Sequence, residues 1–186
     1  MEYVDSMSST TTDEDGFNTP THTSVFDGPS GLEASDFPQM MSSGEPPSEG
    51  SSYIILDPET GLVIALRSGM LCLVSRYNEG DGRIQWRCVR HPDRWYGFRN
   101  EASNTFIGHN DHRKFIAGAN VHDDWEHFWV EHHRDGGHIL LVKRAQWFRV
   151  WFEPMKIGGN DDTQLVTTSA PEEGTAWRFI RVDSEI

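Results

Sequence analysis

The sequence predicts an all-β fold, a β-trefoil of three four-strand repeats, behind a disordered acidic N-terminal tail. Three observations carry that prediction. Charge and aromatic content divide the chain: residues 1–50 hold ten Asp or Glu, no Lys or Arg and no Trp, and so account for -10 of the net charge of -13. Residues 51–186 hold all 16 basic residues against 19 acidic ones, together with all seven Trp. In that second part, apolar residues come in runs of four to seven between turn-forming residues, and no window of 12 keeps a helical period. The runs also recur three times at a spacing of about 40 residues.

The tail, residues 1–52, is rich in Ser and Thr (15 of the first 50) and carries the acidic cluster Asp13-Glu14-Asp15. Such a segment buries too little apolar surface to offset a backbone ordering entropy of roughly 1–2 kcal/mol per residue. Val25-Phe26 and Phe37-Pro38-Gln39-Met40-Met41 have the composition of docking segments, and Thr19-Pro20 that of a phosphate acceptor. The expected domain is 53–183.

Within it, a shift of 43 lays Tyr53-Ile54-Ile55-Leu56-Asp57 on Tyr96-Gly97-Phe98-Arg99-Asn100, Val63-Ile64-Ala65 on Phe106-Ile107-Gly108, and Cys72-Leu73-Val74 on Phe115-Ile116-Ala117. A shift of 42 then lays Tyr96-Gly97-Phe98 on His138-Ile139-Leu140 and Phe106 on Phe148. A Trp closes each unit, at 86, 125 and 177, with an apolar residue three positions later. Asp57–Gly61, Asn78–Gly82, Asn100–Asn104, Asp135–Gly137 and Pro171–Gly174 supply the turns. One unit cannot bury its apolar face alone; three close a shared core. A seven-strand sandwich fits the strand density but not the threefold period, and a propeller needs at least four blades.

Trp125-Glu126-His127-Phe128 with Gly136-Gly137-His138-Ile139-Leu140-Leu141, and Trp95–Asn100 running into Thr105-Phe106-Ile107-Gly108, resemble the repeat of fascin-like, actin-crosslinking-type trefoils. The resemblance is to single-domain fascin-like proteins of filamentous fungi and covers residues 53–182. It implies a trefoil and a protein partner of cytoskeletal type. Fascins bundle actin through several trefoils in one chain, whereas this chain has one. Ricin-type lectin trefoils carry Gln-x-Trp in each repeat; here Gln85-Trp86 and Gln146-Trp147 are adjacent pairs, so that sugar signature is missing.

Candidate chemistry is sparse. His122, His127, His132 and His133 interleave with Asp123, Asp124, Glu126 and Glu131, but without a zinc-ligand spacing, so they read as a polar loop flanking a core strand. No nucleophile elbow or phosphate loop is present. Trp147-Phe148-Arg149-Val150-Trp151-Phe152 alternates. Phe148, Val150 and Phe152 form the expected core face, and Trp147, Arg149 and Trp151 an exposed stripe suited to stacking on a ligand.

The expected function is a non-enzymatic binding or scaffold protein with a protein partner, cytoskeleton-associated by the resemblance. The alternative is a carbohydrate-binding module without the ricin-type site, and an enzyme ranks third. No cofactor, metal, nucleic acid or membrane partner is expected. The chain is acidic, and no stretch approaches the roughly 18–20 apolar residues that span a bilayer. A monomer in the cytoplasm or nucleus, with Cys72 and Cys88 reduced, completes the expectation.

Overall fold

The computed structural model describes residues 45–78, 80–159 and 163–182. The tail segments at Thr19-Pro20, Val25-Phe26 and Phe37–Met41 lie outside them. Twelve strands form among the described residues: β1 (Ser52–Leu56), β2 (Leu62–Arg67), β3 (Met70–Ser75), β4 (Gln85–Arg90), β5 (Tyr96–Asn100), β6 (Phe106–His109), β7 (Phe115–Ala119), β8 (Phe128–His132), β9 (His138–Gln146), β10 (Arg149–Gly158), β11 (Gln164–Thr167) and β12 (Arg178–Val182). A one-turn helix, Asp81–Ile84, and three short 3-10 turns are the only helical pieces there.

Six strands close a ring. β1 pairs β4, β4 pairs β5, β5 pairs β8, β8 pairs β9 and β12 pairs β1, while a His138–Trp177 bridge closes the gap between β9 and β12. The hairpins β2–β3, β6–β7 and β10–β11 complete the three units. They meet each other through the Lys114–Val166 bridge and the Leu73 amide, which donates to the Thr163 carbonyl.

The register makes the threefold relation exact enough to name equivalent residues. Tyr53 faces Trp86, Tyr96 faces Phe128 and His138 faces Trp177 across the corresponding strand pairs. Three layers of equivalent side chains fill the barrel: Ile55, Phe98 and Leu140; Ile64, Ile107 and Met155; Trp86, Phe128 and Trp177. All nine are fully buried. Each strand contributes one face to this shared core, which is why no single unit suffices.

The shifts of 43 and 42 therefore hold for the first strand of each unit, and three expectations need correction. Trp125 is not the second-unit counterpart of Trp86 and Trp177; Phe128 is. Asp123 caps a 3-10 turn at Asp124–Glu126, which carries Trp125 out of the strand and leaves it 42% exposed. Leu73 corresponds to Ala117 rather than Ile116, because residues 110–114 make the β6–β7 turn one residue longer than the equivalent 67–70, which shifts every position of β7 by one. The domain also begins before residue 53. Pro47 is buried, Ser48 N–H donates to the Tyr53 hydroxyl, and Gly50 and Ser51 pair with Cys88 through main-chain bonds of 2.8 and 2.9 Å.

Candidate functional site

The third unit departs from the other two at the turn after its first strand. In the first unit Asp57 is buried and its carboxylate accepts from the amides of Glu59 and Thr60, ending β1. In the second, Asn100 is buried and accepts from the amides of Ala102 and Ser103, ending β5. Such side-chain capping folds the chain back within a short loop. The equivalent residue in the third unit is Val142, which has no group to do this. β9 runs on to Gln146, turns at Trp147-Phe148 and returns through Arg149 to Pro154, which faces Leu141. Pro154, not Phe148, is thus the counterpart of Phe106.

Residues 142–153 form a hairpin that overshoots the barrel, so the expected core face is overturned. Phe148 is 99% exposed, and Val150 and Phe152 are also exposed, because no second sheet faces them there. The expected stripe lies as follows. Trp147 occupies the turn and is 91% exposed, Arg149 pairs with Gln146 and is exposed, and Trp151 is exposed to 37%. Trp151 is pinned, since its Nε1 donates to Glu153 Oε1 at 3.1 Å.

Glu153 anchors the base of the hairpin. It is buried, and besides Trp151 it accepts from Arg113 Nη2 at 2.6 Å, Arg144 Nε at 3.2 Å and Thr167 Oγ1 at 2.8 Å. Burial alone would raise its pKa, but these four donors outweigh it and hold the carboxyl at about 2. Arg144 also donates to His109 Nδ1 at 3.1 Å, tying the hairpin to the end of β6.

One face of the hairpin continues into an aromatic surface. Trp129, opposite Leu141 on β8, shares that face with Lys143, Val150 and Phe152. Trp95 joins it from the β4–β5 turn, where the His91 and Trp95 main chains close on each other and Arg94 takes a positive φ of 71°. The Trp95 ring lies 6.0 Å from Phe152 and 6.2 Å from Trp129, with Lys143 Nζ 6.0 Å above it. Asp124 stands 3.9 Å from that ammonium and is largely exposed. An acid and a cation thus flank a half-exposed aromatic platform.

Imidazoles support the platform from beneath. His127 stacks on Trp95 at 5.6 Å and 6°, and the His91, His122 and His127 rings lie 4.7–5.6 Å apart. His127 is buried with neither ring nitrogen hydrogen-bonded. Burial and the neighbouring imidazoles lower the pKa of His122 to about 4 and lower that of His127 as well. These two are therefore neutral packing groups within the polar loop that flanks β8. Glu126 too is buried, closing a capping box with Asp123. Among the described residues, no group of three or more His, Cys, Asp or Glu could hold a metal ion. Cys72 and Cys88 are unbridged, and burial pushes the Cys88 thiol up to about 12.

No protein-family model matches the sequence, and no curated protein matches it by sequence. Solved structures do match. A ricin B-like lectin of Macrolepiota procera, solved with lactose, superposes with a TM-score of 0.58 at 14% identity, over 74% of this chain and 100% of that one. ThreeFoil, a designed threefold-symmetric protein, gives 0.56 at 14% identity over 70% and 99%. The chain has the β-trefoil fold. The β-trefoil lectin of the Vibrio vulnificus hemolysin/cytolysin, solved with N-acetyl-D-lactosamine, gives 0.57 at 12% identity over 75% and 100%. The trefoil's threefold frame is what makes the hairpin at 142–153 stand out as an addition. In the sequence, Trp95 and Trp129 fall outside the threefold Trp positions 86, 125 and 177, and no local pattern joins them to Phe152, Lys143 and Asp124. The Asp-x-x-Glu capping signature at 123–126 and the apolar Val142 are the signals of the departure that the sequence carries.

Proposed function

We propose that this trefoil is a carbohydrate-binding module and that a saccharide ring stacks on the Trp95–Trp129–Phe152 surface. The observation that carries this reading is the platform itself: contiguous aromatic rings, an acceptor at Asp124 and a donor at Lys143, all beside one another at the surface. Sugar rings present an apolar C–H face to an aromatic ring and hydroxyls around the rim, and this arrangement meets both. The lectin neighbours support it, though the site lies where the added hairpin meets β8 and the β4–β5 turn rather than on a Gln-x-Trp position. Trp151, on the other face, holds the hairpin through Glu153. No reaction is assigned.

A glycan array tests the proposal. The intact chain is expected to bind a subset of glycans, and Trp129→Ala to weaken that binding about tenfold, equivalent to roughly 1.4 kcal/mol. An array on which the intact chain binds nothing, or on which the variant binds equally, overturns it.

A protein partner, cytoskeletal by the fascin-like resemblance, is the second reading. Its support is the free outer edge of the hairpin: among the described residues, 143–146 and 149–152 pair only with each other. An added strand could dock there through main-chain bonds. Co-sedimentation with actin filaments separates the two.

A further inference from the structure

The apex of the hairpin is unlike the platform at its base. Trp147 and Phe148 form a two-residue turn and are the most exposed large apolar side chains among the described residues, with Val150 behind them 60% exposed. Trp147 sits at a φ of 55°, in the left-handed region that costs a residue other than glycine roughly 1–2 kcal/mol. The six residues from Val142 to Trp147 span about 20 Å as a strand, so the tip stands well clear of the barrel.

Charge marks the same segment. Residues 142–152 contain Lys143, Arg144 and Arg149 and no acid, in a chain with 29 acidic residues. Arg144 is engaged by Glu153, and Lys143 lies beside Asp124. Arg149, at the first residue pair behind the turn, is exposed and makes no ion pair among the described residues.

We propose that the apex is an interfacial membrane anchor. Trp147 and Phe148 enter the headgroup–acyl boundary of a zwitterionic phospholipid bilayer, and Arg149 meets a lipid phosphate. A convex tip bare on both faces would need a matching groove in a folded partner, whereas a bilayer yields to it. Indole and phenyl rings favour the membrane interface, and an insertion of about 5–10 Å is within the reach of one turn. The guanidinium then lies at the level of the phosphodiester, which it can grip with two donors. A net charge of -13 opposes an anionic surface, so the zwitterionic one is assigned. No helix among the described residues is long and apolar enough to cross a membrane, and insertion at the interface needs none. The sequence-based expectation of no membrane partner rested on that lack of a spanning segment alone.

The test is co-sedimentation of the full chain with phosphatidylcholine vesicles that contain no glycolipid. The bound fraction is expected to rise with lipid, and the double variant Trp147→Asn, Phe148→Ser to lower the partition coefficient at least tenfold. Asn tolerates the positive φ, and both side chains lie outside the core, so the thermal transition followed by circular dichroism should not move. Trp129→Ala should bind vesicles like the intact chain, which separates this proposal from the glycan reading. No sedimentation of the intact chain, or equal sedimentation of the double variant, overturns it. So does light scattering that shows a dimer dissociated by the double variant, since a second copy would then cover the apex.

Discussion

Glu153 shows how much one side chain can organise. Its four donors come from the turn after β6, from both strands of the hairpin and from β11. Glu153→Gln removes the charge that Arg113 and Arg144 face. Breaking a buried ion pair from one side costs about 3 kcal/mol, and urea unfolding is expected to show a loss of that order. A change under about 0.5 kcal/mol would mean that the network contributes orientation without stability. Two glycines act by what they lack. A Cβ on Gly97 would stand 2.7 Å from the His122 ring and one on Gly108 2.7 Å from the Glu126 carboxylate, so each leaves room for a polar side chain packed against the strand. In the sequence they are merely small residues in strands. Their use depends on side chains 25 and 18 positions further along the chain, which only the fold brings near.

At the level of elements, the decisive difference lies between Asp57 and Asn100 on one side and Val142 on the other. The two polar residues stop their strands, and Val142 lets its strand continue. The first strand of every unit was legible from the 43- and 42-residue shifts, since buried strands show their inward residues as regular apolar positions. The length of the third hairpin was not, because alternation reads the same for a strand with a sheet above it and for one that projects beyond the barrel. Replacing residues 142–153 with the six residues Asn100–Thr105 should keep the barrel, giving a cooperative thermal transition and an all-β circular dichroism spectrum. Glycan binding should be lost with the platform. A variant that fails to fold would show that the hairpin belongs to the core and is no appendage.

For the whole molecule, three buried histidines and the half-buried His122 set the response to acid. Burial, first, and then neighbouring charges lower the pKa values of His109, His122, His127 and His138 from 6.5, that of His122 to about 4. A histidine with a depressed folded-state pKa contributes stability in full above its unfolded pKa. That contribution is lost as the pH falls, because the unfolded chain binds the protons first. Stability should therefore fall between about pH 6.5 and 4. It should fall further between 4.5 and about 2 as Glu153 is protonated, its own folded pKa lying below its unfolded value. His122→Asn should flatten the upper window in thermal melts taken across pH. A melting temperature constant from pH 7 to 4.5 would contradict the neutral imidazole cluster.

The sequence by itself determined the strand content, the threefold repeat and hence the trefoil, because an inward-facing strand must show its burial as local periodicity and three copies must show it three times. It also pointed to Trp147, Arg149 and Trp151 as exposed residues. Tertiary structure alone decided that Phe128 replaces Trp125 in the core and that residues 47–51 belong to the domain. It alone brought Trp95, Trp129 and Phe152, drawn from the β4–β5 turn, β8 and β10, into one surface. Local pattern reports which face of a strand is apolar. Whether that face meets another sheet, a neighbouring ring or solvent depends on residues distant in the chain, and on how far each strand runs beyond the barrel.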